Sequence, residues 1–253
     1  MTMPTSISSG WVAVADMMRG WRNGCVGLWM MLGAVAAQAG DVKVSEAVRL
    51  EQVDLVDVGA LIPKATLEIR YAGDDNFVGR PVDGYRAPKC YLLRPAAEAL
   101  RQVADDLAAD GYRLRLFDCY RPVRAVRDFV RWARDPADQR TKPRFYPNLD
   151  KSTLLDGYIA ETSGHSRGAT VDLGLERCDG ARCELLDMGT GFDRFDTLAN
   201  TDDPRIVGEQ KTNRQRLRAA MEHRGFRNYP LEWWHYTFQP EPTPTTAYDI
   251  PVQ

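Results

Sequence analysis

Between residues 95 and 109 the apolar side chains Ala96, Leu100, Val103 and Leu107 recur at spacings of four, three and four, the period of one helix face. Pro95 suits a first helical turn and Gly111 follows the end, so this segment is expected to be an amphipathic helix. Tyr112-Arg113-Leu114-Arg115-Leu116-Phe117 then alternates as a half-buried strand does, closing at Asp118-Cys119-Tyr120-Arg121-Pro122. A second helix is expected from that proline, with Val123, Val126, Val130 and Ala133 on one face. Residues 171–175 and 231–238 read as strands. Residues 212–224 read as a helix with Leu217, Ala220 and Met221 inside, Gly225 as its stop, and Arg214, Arg216 and Arg218 on a solvated face. Helices and short strands mix without regular alternation. That predicts an α+β domain built on a mainly antiparallel sheet flanked by helices. Residues 135–150 and 239–253, rich in Pro, Asp and Tyr, are expected as ordered loops or a wrapping tail.

The first residues follow another pattern. Arg19 and Arg22 precede an apolar run over residues 25–36, which ends in Ala37-Gln38-Ala39. A basic start, a short apolar stretch and an A-x-A end mark a cleaved export signal. The run is shorter than the roughly 20 residues that cross a bilayer. Cys25 stands at its start rather than behind an apolar triplet at its end, which argues against a lipid anchor, and Met17 and Met18 offer a second start. Residues 1–39 are therefore expected to be a signal peptide and residues 40–253 one domain. The protein is expected to be exported, periplasmic or secreted, with no stable membrane anchor after cleavage. A formal net charge of −2 supplies no basic field for nucleic acid or acidic lipid.

Removing the signal leaves Cys90, Cys119, Cys178 and Cys183, an even number that suggests disulfides in an exported protein. Four cysteines allow three pairings. Cys178 and Cys183 flank a turn-like Asp179-Gly180-Ala181-Arg182, and a bridge there would leave Cys90 with Cys119. The tight C-x-x-C spacing of a cysteine zinc site is absent.

The chain has 3 histidines. His223 sits on the polar side of a helix and reads as a surface residue. The other two lie in Ser163-Gly164-His165-Ser166-Arg167-Gly168-Ala169-Thr170-Val171-Asp172 and in Glu232-Trp233-Trp234-His235. A catalytic zinc takes about three His or carboxylate ligands and keeps a position open, and His165, Asp172 and His235 could supply that set. In a strand over 171–175, Asp172 and Gly174 share a wet face above an apolar layer of Val171, Leu173 and Leu175. Gly164 and Gly168 flank a turn that can fold His165 back towards Asp172. Glu232 is the candidate general base, its pKa raised beside Trp233 and Trp234. In a regular strand Glu232 and His235 would face opposite sides, so a bulge or bend at Trp233-Trp234 is required. Arg121, at a strand end, could stabilise a developing oxyanion or pair with Asp118.

The segments FDCYRPVRAV, SGHSRGATVDL and EWWHY resemble motifs of the VanX-type D-alanyl-D-alanine dipeptidases. These zinc peptidases are related in fold to D,D-carboxypeptidases and to the Hedgehog signalling domain. The similarity extends through YAGDDNFVGRPVDGY and MGTGFDRFD and covers nearly the whole mature chain. It implies His165, Asp172 and His235 as ligands of one Zn²⁺, Glu232 as base and Arg121 as the transition-state arginine. It further implies Asp193 as the carboxylate for the substrate's free ammonium, with Tyr71 and Ser163 as pocket positions. The S-x-H-x-x-G-x-A-x-D pattern is kept except at Thr170, where it has alanine. Gly164 stands where the dipeptidases carry serine, so one substrate hydrogen bond is missing or supplied otherwise. The implied activity is hydrolysis of the small dipeptide D-Ala-D-Ala to two D-alanines in cell-wall turnover. The competing readings are a D,D-carboxypeptidase acting on pentapeptides and a non-catalytic, zinc-stabilised module that binds wall peptides.

Overall fold

The computed structural model describes residues 41–180 and 182–253; the export signal expected over residues 1–39 lies outside the described residues. Along the described chain run β1 (Lys43–Val44), β2 (Leu55–Asp57), α1 (Val58–Leu61), β3 (Thr66–Leu67), β4 (Tyr91–Leu93), α2 (Arg94–Ala109) and β5 (Tyr112–Asp118). Then come α3 (Val123–Ala133), α4 (Lys142–Phe145), β6 (Thr170–Asp179), β7 (Arg182–Leu185), α5 (Gly208–His223), β8 (Phe226–Asn228), β9 (His235–Phe238) and β10 (Thr246–Ala247). No described helix is long and apolar enough to cross a membrane.

A six-stranded sheet in the order β3-β5-β6-β9-β8, with β7 paired to the far end of β6, carries the molecule. Only β3 against β5 is parallel within it, so the α+β, mainly antiparallel architecture expected from the pattern is the one found. Leu114 and Leu116 lie opposite Leu175 and Leu173, and all four are buried. The helices pack on the sheet with α2 against β5, α5 against β6 and β8, and α2 against α5. The residues between those leucines, Arg113, Arg115, Gly174 and Glu176, point to the opposite face, as does Asp172. That face is not wet. Asp172 and Glu176 are both buried, because loops and aromatic side chains roof it: Phe117 covers Gly174 and stacks on Phe192.

Two further expectations need correcting. The strand expected over 231–238 begins only at His235. Before it the chain turns, with Glu232 N donating to Tyr229 O at 3.0 Å and His235 N to Glu232 O at 3.3 Å. Consecutive Trp233 and Trp234 are both 2% exposed, which a strand with one buried face cannot arrange. The second correction is Arg214. It is 1% exposed rather than solvated, because it lies three residues before Leu217 and seven before Met221 and so falls on their buried stripe. Arg216 and Arg218 stay partly exposed. Residues 135–150 hold the short α4 among loops. The C-terminal tail wraps the domain as expected: Val252 N donates to Gly84 O and Tyr248 N to Ser166 O, both at 2.8 Å.

Candidate metal centre

Sheet register assembles the first part of the site. A bulge between Leu116 and Asp118 in β5 brings Asp118 opposite Asp172, and Asp172 in turn lies opposite His235 of β9. Asp118, Asp172 and His235 thus form one row across three strands. His165 arrives just before β6 from the short turn Gly164–Arg167, which Ser163 caps, its hydroxyl accepting from His165 N at 3.2 Å. Gly168 ends that turn at φ +76°, where a Cβ would also meet Leu93 and Leu55 at 3.1 and 3.2 Å. Glycine is favoured there by the left-handed conformation, and a Cβ would in addition crowd both leucines.

The His165 Nδ1 lies 2.7 Å from the carbonyl oxygen of Cys119. A carbonyl can only accept, so Nδ1 carries the proton and the Nε2 lone pair faces the pocket. Nε2 lies 3.2 Å from Asp172 Oδ2 and 3.3 Å from His235 Nδ1, and His235 Nδ1 is 3.1 Å from Asp172 Oδ1. One ligand atom from each residue falls within 4.8 Å of the others. Asp172 Oδ1 is buried without a hydrogen-bond donor. An orphaned carboxylate oxygen beside two imidazole nitrogens is a donor set suited to a cation, and two His with one carboxylate leave a tetrahedral zinc an open position. Burial would raise the Asp172 carboxyl, but the neighbouring His165 and His235 hold it below the usual carboxylate range.

Glu232 Oε2 lies 3.3 Å from His235 Nδ1. Burial pushes its carboxyl up to about 7, with His235 opposing. The bend that the sequence demanded at Trp233-Trp234 exists, as the turn described above, and it brings Glu232 and His235 to one pocket. Arg121 lies over the adjoining rings of Tyr71 and Phe129, its guanidinium carbon 5.1 and 5.0 Å from their centroids. Its Nε donates to Asp118 at 2.9 Å and its Nη2 reaches within 3.5 Å of Asp172. Pairing with Asp118 and presence at the site are therefore not alternatives. Asp118 had no role of its own in the sequence reading. It is fully buried, accepts from Tyr85 at 2.5 Å, and lies 3.6 Å from His165 Nδ1. The signal was its place in the FDCYRP segment, but its second partner, Tyr85, is distant in sequence.

Asp193 closes the other end of the pocket. It accepts from the Tyr71 hydroxyl at 2.9 Å and takes the left-handed φ of 60°, a conformation that L side chains other than Asn and Asp rarely hold. Burial pushes its carboxyl well above the usual range, and Asp172 adds to that. Tyr71, Arg121, Ser163, His165, Asp172, Asp193, Glu232 and His235 all line one pocket of about 240 Å³, so every side chain singled out from sequence for the site is in it. His223 is exposed. The two positions that depart from the pattern touch: a Cβ at Gly164 would sit 3.1 Å from the Thr170 hydroxyl, which is engaged with Thr237 at 2.9 Å. Both disulfides, Cys90–Cys119 and Cys178–Cys183, are formed. The first lies directly behind the carbonyl that orients His165.

A model of the family described as D-ala-D-ala dipeptidase matches residues 51–253. The D-alanyl-D-alanine dipeptidase of Enterococcus faecium is 42% identical over 74% of this chain and 92% of its own length. That of Streptomyces coelicolor is 42% identical over 79% and 98%, and that of Escherichia coli 30% over 74% and 85%.

Proposed function

The chain belongs to the D-ala-D-ala dipeptidase family, and from that membership we propose that it is a zinc-dependent metallopeptidase hydrolysing D-Ala-D-Ala to two D-alanines. The observation that carries the metal is the Asp172 carboxylate, one oxygen beside His165 and the other, Oδ1, beside His235 without a hydrogen bond. Those three residues would hold one zinc ion. Zinc supplies Lewis acidity, which polarises a carbonyl and makes water a nucleophile near neutral pH.

The remaining steps belong to side chains. Glu232 takes a proton from the attacking water and returns it to the departing amine, and burial, by raising its carboxyl, favours the second of those transfers. Arg121 offers a fixed cation to the oxyanion that develops on the scissile carbonyl. Asp118 and the two aromatic rings hold that guanidinium in place. Asp193 accepts the free ammonium of the substrate. An arriving cation offsets the burial that otherwise favours its protonated form. A carboxylate closing the amino end of a pocket of about 240 Å³ favours a free dipeptide over a longer chain. Residues 1–39 act as the export signal and residues 40–253 as the mature enzyme. Two disulfides suit an oxidising compartment, where the product would be D-alanine recovered from wall fragments.

The test is D-alanine release from D-Ala-D-Ala by the purified protein. Release should stop with a chelator and return with zinc. Glu232→Gln should keep its zinc and lose about 10²- to 10⁴-fold in rate. Full activity in that variant would remove Glu232 as the base. Hydrolysis of N-acylated peptides as fast as the free dipeptide would replace the dipeptidase reading with a D,D-carboxypeptidase. Zinc binding without any hydrolysis would leave a wall-peptide binding module.

A further inference from the structure

Asp193 sits on the loop between β7 and α5, and the ends of that loop converge on one buried side chain. Arg214 of α5 donates from Nε to Met188 O at 2.7 Å, from Nη1 to Asn200 O at 2.7 Å and from Nη2 to Leu198 O at 3.0 Å. One carbonyl lies before Asp193 in the chain and two lie after it, so the guanidinium ties the entry and exit of the loop together. Its neighbours on the same helix face assist at the entry. Asn213 donates to Asp187 O at 2.9 Å and Gln210 to the Asp187 carboxylate at 2.7 Å. The carbonyl between the two exit acceptors, Ala199 O, takes the amide of Trp233 at 3.0 Å, next to Glu232.

The energetics of this arrangement favour geometry over stability. Arg214 is 1% exposed, and no carboxylate among the described residues reaches it within ion-pair distance. A buried guanidinium without a counter-ion is expensive, and an apolar side chain would fill the space at lower cost. What an apolar side chain or a lysine cannot do is bond three carbonyls from two chain segments in one plane, which the guanidinium fork does. Meanwhile Asp193 holds a left-handed φ of 60°, a turn of the backbone that aspartate tolerates and that aims its side chain according to how the flanking loop is held.

We propose that Arg214 is a positioning residue for recognition of the substrate's ammonium, clamping residues 188–200 so that Asp193 is presented to the pocket. This rests on the reading of Asp193 as the ammonium acceptor. Arg214 itself touches neither substrate nor metal ligands. The role predicts a selective defect: binding of the free amino end weakens while the metal site and the chemical step persist.

The experiment compares Arg214→Lys, Arg214→Met, Asp193→Asn and the surface control Arg218→Met as zinc-loaded proteins. The readouts are zinc content, Tm, kcat and KM for D-Ala-D-Ala, and the ratio of kcat/KM for D-Ala-D-Ala over N-acetyl-D-Ala-D-Ala. For Arg214→Lys, KM is expected to rise about 10- to 100-fold, the scale of a misplacement of about 1 Å. Its kcat should stay within about threefold, the mark of lost substrate binding. Zinc content should be unchanged, and the selectivity ratio should fall in the direction that Asp193→Asn takes it. Arg218→Met should move none of these. If Asp193→Asn keeps KM and selectivity, the ammonium reading falls and this proposal with it. If Asp193→Asn loses them while Arg214→Lys keeps them and only its Tm drops, the proposal alone falls. Arg214→Met is the harsher variant and should shift KM at least as far; if neither Arg214 variant folds, the residue is a general stabiliser and the proposal is overturned.

Discussion

Asp172 and Glu176 lie on the same face of β6, four residues apart, and neither carboxylate sees appreciable solvent. Their surroundings differ. Glu176 accepts from Arg113 Nε at 2.6 Å and Thr66 Oγ1 at 2.9 Å on one oxygen, and from Arg115 Nε at 2.7 Å on the other. Every direction of approach is filled by a donor that already carries its proton or its charge. Asp172 faces two imidazole nitrogens at 3.1 and 3.2 Å and a guanidinium at 3.5 Å, and its Oδ1 makes no hydrogen bond. Burial of a carboxylate is costly in both places. Near Glu176 that cost is offset by side chains, and near Asp172 it is left for something that binds. Burial and residue type therefore do not mark a functional carboxylate; the unfilled half of its coordination does.

Exchanging the two acids for their amides separates these roles. Asp172→Asn should release the metal and lower activity by more than about 100-fold, since even residues one step behind a ligand cost about 10–100-fold; metal content after dialysis and D-alanine release measure this. Glu176→Gln should do the reverse. It strands Arg113 and leaves Arg115 with Glu68 alone, so unfolding in denaturant should show a loss of about 3 kcal/mol, the lower end for a broken buried pair. The lower end applies because those arginines remain 34% and 24% exposed. Zinc content and KM should stay near those of the parent. A Glu176→Gln protein that lost its metal would erase the contrast.

The smallest effect is in the acid limb of stability. Burial would raise the Glu176 carboxyl, but Arg113, Arg115 and Thr66 outweigh it and hold the pKa below its ordinary value. A lowered folded-state pKa contributes stability that is complete above the unfolded value of about 4.3 and is lost as pH falls through the folded value. Glu176→Gln should therefore flatten the dependence of Tm on pH below about 4.3 and leave the slope at neutral pH alone. An unchanged acid limb would mean that the arginines do not favour the ionised form.

Much of the site was legible because its motifs are short and its residue types rare. His165 and Asp172 share one turn-and-strand segment, Glu232 and His235 share another, and a bend between the last two could be demanded from strand geometry before it was seen. Arg214 was misread because its charge argued for water while its spacing from Leu217 and Met221 argued for the core, and spacing was the better guide. Asp118 was read only as a partner of Arg121 because its contact with Tyr85 and its approach to His165 link residues far apart in the chain.

Periodicity and motif spacing, which are local, were enough for α2, β5, α3 and the α+β class, and together with the family resemblance they pointed to the residues that could hold a metal. The register that aligns Asp118, Asp172 and His235, the turn that frees Glu232 from the strand, and the three carbonyls gathered on Arg214 came from the folded chain alone. Each depends on backbone donors and acceptors supplied by segments distant in sequence, and a buried polar group takes the position where those partners meet.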